Sequence, residues 1–349
     1  MKLSEWHVQT IKQHTGDYAD KVEQFGLTPL LQSETRLGSF TDIIEQLQYL
    51  GIWALQNPNP VLGAIRDRRE FCALVGFRPS RFHLGHITLA HELAWYISRG
   101  AVPFFIVSGY EAGAALSGNE ARARVSEFWQ IVRAICGQEL PEPYYVYSDK
   151  ECLELRLMED RVEEVVPIQK ILQLYGWKSN ISIAAVRVAT MNAAAFLFPH
   201  SLLHGIPTIV LSDVKQVTHS EVAKIAARKL NIPIPAFSYR MLLPSLLGPQ
   251  QRMSVKDMRS AIFLDEEVDT ISKKLLRCFS GGCKTIEEQR ENGGNPFTCS
   301  FFKICNLLLS CEDTSEMLSS CISGRMLCGQ CKEKYVEPSL RSVVTVDHR

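Results

Sequence analysis

The chain has 349 residues, 46% of them apolar, and its 38 basic side chains are matched by 38 acidic ones. That length accommodates one large core or two domains, and the even charge excludes wholesale electrostatic coating of nucleic acid, although a local basic face on the C-terminal part would suffice for one such partner. No apolar run approaches the roughly 20 residues of a membrane span, so no membrane partner is expected. The opening MKLSEWHVQTIKQHTGDY has no apolar signal-peptide core, and eleven cysteines are scattered through periodic segments. Both features point to a cytoplasmic chain with reduced thiols and not to a disulfide framework.

Residues 1–70 read as a helical lead-in with loops, interrupted by the turn cluster Asn57-Pro58-Asn59-Pro60. The run Arg66-Asp67-Arg68-Arg69-Glu70 reads as a solvated face. Residues 71–235 then alternate strand-like and helix-like segments, the βαβ rhythm of a parallel sheet in an α/β fold, and residues 236–264 carry a charged loop. Strands are predicted at Phe71–Val75, Val102–Ser108, Pro143–Tyr147 and Thr208–Leu211, with helices over 86–98, 119–136, 167–175 and 218–229. Ligands in such sheets bind beyond the carboxyl ends of the strands, which draws attention to Ser108, Tyr110 and Glu111 after one strand and to Ser212 and Asp213 after another. From residue 265 to 349 the pattern is helical, with turns at Ser280-Gly281-Gly282, Gly293-Gly294-Asn295-Pro296 and Ser323-Gly324.

Chemistry concentrates in FCALVGFRPSRFHLGHITLAHEL. A short apolar run is broken by Gly76, turned by Arg78-Pro79-Ser80, and followed by an apolar-periodic helix opening at His83-Leu84-Gly85-His86. Strand, turn and helix N-terminus make an anion site, because free N–H groups and the positive helix pole meet there. Two imidazoles three residues apart share one face of the first turn and can donate to phosphate oxygens. Gly85 between them lets a nucleotide approach the backbone. An isolated H-x-G-H arises freely, so a partner motif decides the matter. That partner is Gln251-Arg252-Met253-Ser254-Val255-Lys256, a loop able to close over a triphosphate and neutralise departing pyrophosphate. The single pair Cys328-x-x-Cys331 falls short of the two ordered ligand pairs of a structural zinc site, so its thiols are read as buried or surface thiols and no metal site is assigned.

In this order HLGH and RMSVK resemble the two ATP motifs of class I aminoacyl-tRNA synthetases, and the chain is similar to the archaeal and eukaryotic type of tryptophanyl-tRNA synthetase. The resemblance runs through Gly16-Asp17-Tyr18, Gln24-Phe25-Gly26, Tyr175-Gly176-Trp177 to Asn192-Ala193-Ala194, Phe279-Ser280-Gly281-Gly282, Thr285 to Arg290, and Ser323 to Lys332. It implies a Rossmann-like ATP and amino-acid-binding catalytic domain over 71–264 and a helical tRNA-binding domain over 265–349. It further implies amino-acid activation with ATP and Mg²⁺, tRNA as acceptor, and a homodimer. His83, His86, Arg252, Ser254 and Lys256 would be the catalytic set. Gly76, Arg78, Pro79, Ser80, Gly85 and Met253 would bind ATP, while Leu74, Val107, Glu111, Asn192 and Asp213 would form the amino-acid pocket.

The pocket departs from the family pattern. A tyrosine and a glutamine at strand ends become Leu74 and Val107, a glutamine becomes Asn192, an aspartate-glutamine pair becomes Asp213-Val214, and Asn57 to Asn59 stands where a basic H-R-D element is usual. In the second motif Arg252 replaces a lysine and Lys256 a closing serine. Deleting hydrogen-bonding groups changes specificity more than trimming a methylene does. The sequence therefore raises a second expectation, that tryptophan is a poor substrate and another amino acid is preferred, with a paralogue using a different acceptor as the alternative to a tRNA-charging enzyme. A non-catalytic relative would have no need of intact His83, Gly85, His86, Met253 and Ser254.

Overall fold

The computed structural model describes residues 1–32, 40–77, 80–107, 118–137, 140, 142–147, 152–178 and 180–347. Contacts divide the chain into two compact units. One comprises Thr15–Pro79 and His91–Met241, and the other Met1–His14, Ser80–Ala90 and Leu242–Arg349.

The first of these is built on a seven-stranded sheet of β1 (Thr28–Pro29), β2 (Ile52–Gln56), β3 (Phe71–Phe77), β4 (Ala101–Val107), β5 (Tyr144–Tyr147), β6 (Thr208–Asp213) and β7 (Ala236–Arg240), in the order β1-β2-β7-β6-β3-β4-β5. β7, β6, β3, β4 and β5 are mutually parallel, as the alternation of strand and helix requires, and β1 and β2 extend the sheet antiparallel. Side chains buried on both faces, such as Phe104, Phe105, Val210 and Phe237, explain why these strands read as continuous apolar runs. Helices Leu153–Val165, Ile183–Leu202 and Val217–Leu230 pack against one another. Ser182 caps the second of them by accepting from the Ala185 N–H at 3.3 Å.

The four predicted strands and four predicted helices of this region are all present, with ends shifted by a few residues. The lead-in is corrected. Residues 52–56 form a fully buried strand paired with β7, because Ile-Trp-Ala-Leu-Gln has no polar alternation and so carries no signal of half-burial. Asn57, placed in the sequence at a missing basic element, has φ 51° and donates its amide to the Ile234 carbonyl at 2.6 Å, which makes it a turn residue. The run Arg66 to Glu70 is exposed throughout, as expected.

The other unit is helical around a two-stranded ribbon, β8 (Pro244–Ser245) and β9 (Gly248–Arg252). Helices Val268–Arg277, Ile286–Asn292, Ser300–Leu308, Cys311–Ile322 and Cys328–Asp347 follow in the pattern the sequence suggested. Trp6 packs edge-on to Phe302 at 5.0 Å between ring centres, which ties the N-terminal segment into the same core.

Candidate nucleotide site and amino-acid pocket positions

Both phosphate motifs lie in the helical unit, and they are joined by backbone pairing. The Leu84 N–H donates to the Ile262 carbonyl at 3.1 Å and the Leu264 N–H to the Phe82 carbonyl at 3.0 Å, so residues 82–84 run antiparallel to 262–264, a few positions beyond the RMSVK loop. Arg81 clamps this pairing with a bidentate ion pair to Asp265, at 2.6 and 2.9 Å, while its guanidinium lies 4.4 Å from the centre of the Phe263 ring.

Within HLGH, the Gly85 N–H donates to His83 Nδ1 at 3.0 Å, and the His83 N–H donates to His86 Nδ1 at 3.1 Å. With its Nδ1 accepting, the His83 ring hydrogen is assigned to Nε2, whereas His86 Nδ1 lies 3.2 Å from the His83 carbonyl as well and can accept or donate according to its tautomer. Burial, and then the neighbouring charge of Arg252, lower the His83 pKa to about 4. At neutral pH His83 is thus an uncharged donor. The two rings stand 4.4 Å apart. A Cβ on Gly85 would lie 2.7 Å from the His83 ring, so glycine is needed there to let the imidazole fold over the backbone.

The second motif begins at the end of β9. Arg252, Val255 and Lys256 are exposed, whereas Met253 is buried and its N–H donates to the Leu243 carbonyl at 3.2 Å. Ser254 accepts from the Lys256 N–H at 3.2 Å, and the buried Ser260 hydroxyl accepts from the Ser254 N–H at the same distance. The loop is therefore a braced turn with its anchors inside and its cations outside. Lys274 completes the brace from the helix Val268–Arg277, donating to the carbonyls of Met258 at 2.7 Å and Ala261 at 2.8 Å and pairing with Glu266. Sequence reading missed Lys274, Ser260 and the Arg81–Asp265 clamp. Asp265 directly follows the motif's apolar tail and could have been suspected, but nothing local marks Lys274.

The proposed pocket positions lie in the sheet-containing unit. Leu74 is fully buried at the middle of β3, in register with Phe104 and Val210, and not at a strand end as the sequence suggested, because the strand continues to Phe77. Val107 does end β4 and is 1% exposed. Asn192 is half-buried and donates its amide to the Val188 carbonyl at 2.9 Å. Asp213 ends β6 and accepts from the Lys215 N–H at 2.7 Å, at a carboxyl end beside the point where strand order reverses. Gly76 is exposed, with open space where a Cβ would stand, and Ser80 is half-buried. Arg78, Pro79, Ser108, Tyr110 and Glu111 lie outside the described residues.

The family profile described as tRNA synthetases class I (W and Y) matches residues 66–341. The tryptophan–tRNA ligase of Pyrobaculum calidifontis is 26% identical over 333 residues, covering 92% of this chain and 88% of that protein. That of Methanocaldococcus jannaschii is 24% identical, covering 97% and 92%. The crystal structure of tryptophanyl-tRNA synthetase from Aeropyrum pernix aligns with a TM-score of 0.82 at 22% identity, over 95% of this chain and 93% of that one, a likeness of fold.

Proposed function

Because this chain belongs to the class I tRNA synthetases of the W and Y type, we propose that it activates tryptophan with ATP and transfers it to tRNA. The chemistry is attack of the amino-acid carboxylate on the α-phosphorus of ATP, which forms the acyl–phosphate bond and breaks the bond to pyrophosphate. No side chain has to act as nucleophile, so catalysis reduces to positioning and charge stabilisation.

The observation that carries this reading is the meeting of the two motifs in one unit, where the Arg252 charge acts on the His83 ring. His83, uncharged at neutral pH, would donate Nε2–H to a phosphate oxygen with the His86 ring beside it, while Arg252 and Lys256 follow the charge that accumulates on the leaving pyrophosphate. Arg252 in place of the usual lysine gives a planar, bidentate donor. Ser254 would hold the turn by its bond to the Lys256 N–H. Among the described residues no three His, Cys, Asp or Glu side chains converge to hold a metal ion. Mg²⁺ bound together with the nucleotide would supply charge neutralisation as pyrophosphate leaves.

Residues 71–264 would be the catalytic domain and 265–349 the tRNA-facing domain, with residues 1–70 leading in. A homodimer and a cytoplasmic location belong to the same reading. No helix among the described residues is long and apolar enough to cross a membrane, and all eleven cysteines are free. The relatives favour tryptophan over another amino acid, while the apolar Val107 at the end of β4 argues for a weakened hold on the indole N–H. An ATP–pyrophosphate exchange panel over the proteinogenic amino acids tests both. Tryptophan should support the fastest exchange with a raised KM. Faster exchange with a different amino acid would establish the altered specificity instead, and no exchange with any would overturn the proposal.

A further inference from the structure

The helix Val268–Arg277 carries Lys273 and Lys274 side by side, and the fold treats them differently. Lys273 is exposed, whereas the Lys274 side chain keeps 17% of its surface and pairs with Glu266, whose side chain keeps 8%. Withdrawing such a pair from water is costly unless the remaining donors are met. An ammonium has three donors. Those of Lys274 go to the Met258 carbonyl at 2.7 Å, the Ala261 carbonyl at 2.8 Å and the Glu266 carboxylate. All three acceptors lie between 258 and 266, the stretch that carries the chain from the RMSVK loop into its pairing with residues 82–84.

This ammonium reaches both motifs through single intermediaries. On the loop side, the two carbonyls it holds flank Ser260, whose hydroxyl accepts from the Ser254 N–H at 3.2 Å and donates to the Asp257 carbonyl at 2.7 Å. On the histidine side, Glu266 accepts from the Phe263 N–H at 3.2 Å, and Lys274 Nζ lies 5.3 Å from the centre of the Phe263 ring. Phe263 is bridge-paired with His83, its ring edge-on to the imidazole at 6.2 Å between centres. A tie needed only to close a turn would require no ion, since a neutral donor meets carbonyls without the cost of a buried charge pair. A charged tripod fixes direction as well as distance.

We propose that Lys274, held by Glu266, is a positioning residue for amino-acid activation. It sets the separation between the Arg252 and Lys256 cations and His83, and so aligns them on the charge that develops as pyrophosphate leaves. The inference rests on the ATP-dependent activation proposed above, and Lys274 acts through Ser260 and Phe263 without touching the nucleotide. Misplacing such groups by about 1 Å costs about 10²-fold in rate. The charge they meet is greatest in the transition state, so the loss falls on kcat and not on KM for ATP.

ATP–pyrophosphate exchange by the full chain, compared for the unmutated protein, Lys274→Met, Lys274→Arg and Lys273→Met, tests this. Lys274→Met should lower kcat about 10²-fold while KM for ATP stays within about threefold. Lys274→Arg keeps the charge and should regain about tenfold of that loss, and Lys273→Met should match the unmutated protein. Amide hydrogen exchange of residues 252–264 should quicken about tenfold in Lys274→Met, with the helix Cys311–Ile322 unchanged. Should Lys274→Met fail to fold, Glu266→Gln takes its place, leaving an acceptor beside the ammonium and lowering kcat with KM retained. A rise in KM alone, an equal loss in Lys273→Met, or full kcat in folded Lys274→Met would each overturn the assignment. No pyrophosphate exchange by the unmutated protein with any amino acid would overturn the activation instead. The amide measurement then decides the brace by itself: faster exchange of 252–264 upholds it and unchanged protection overturns it.

Discussion

The two sets of candidate residues, one in each unit, are held by different physics. Around HLGH and RMSVK nearly every constraint is a directed polar contact: Gly85 N–H to His83, Arg81 to Asp265, Ser254 to Lys256, and Lys274 to two carbonyls. At the pocket positions Leu74 and Val107 the constraint is close apolar packing within a sheet. Polar bracing positions donors without filling the volume a ligand needs, whereas packing fixes position by excluding everything else. Substitutions should therefore separate the two regions into one that loses activity and one that loses stability.

The largest separation is expected from the histidines. His83→Ala and His86→Ala should each lower ATP–pyrophosphate exchange by about 10²–10³-fold, the loss seen for one preorganised donor, with circular dichroism and Tm little changed. Unchanged exchange would break the comparison on the polar side. Leu74→Ala should do the opposite. It should lower stability in urea by about 2–5 kcal/mol through the cavity it leaves, with KM for ATP unaffected. A stable Leu74→Ala would mean that the position is less tightly packed than its complete burial indicates.

A smaller effect concerns pH, and its sign differs between the two units. In the helical unit burial lowers His83 and His14 to about 4, with Arg252 and Lys303 as the lesser causes. The unfolded chain takes up protons near 6.5, so stability from these groups is present above that pH and is lost as pH falls towards 4. In the sheet unit burial raises fully buried Glu92 to about 7 against the opposing pull of Arg240 and Ser238. Here the folded state keeps its proton longer, and stability falls as pH rises from about 4.5 to 7. Hydrogen exchange followed by peptide at pH 5 and pH 8 should show protection of 80–90 rising with pH and that of 236–240 falling. Parallel changes in both segments would remove the contrast.

How much of this the sequence disclosed depended on the kind of signal. Strands such as Ala101–Val107 and helices such as Leu84–Ile97 were legible because apolar period and Gly/Pro punctuation are local. Ile52–Gln56 was not, since an all-buried antiparallel strand beside a turn cluster looks like the end of a helix. HLGH and RMSVK were legible as motifs, but their coupling was not. It passes through Phe82–Leu84 pairing with Ile262–Leu264, a contact between distant segments. The C-terminal glycines were visible only as a pattern, and their cause is close approach: a Cβ on Gly281, Gly293 or Gly324 would strike a backbone carbonyl, and one on Gly282 or Gly294 a cysteine sulfur.

The central claim is that the two motifs act as one site, and a double-mutant cycle tests it most directly. ATP–pyrophosphate exchange would be measured for His83→Ala, Arg252→Ala and the double variant. Residues that share one charge-bearing ligand and act on each other should show a coupling energy of about 0.5–3 kcal/mol, so the double variant should lose clearly less than the product of the single losses. Strict additivity, or retention of full exchange by Arg252→Ala, would contradict the account.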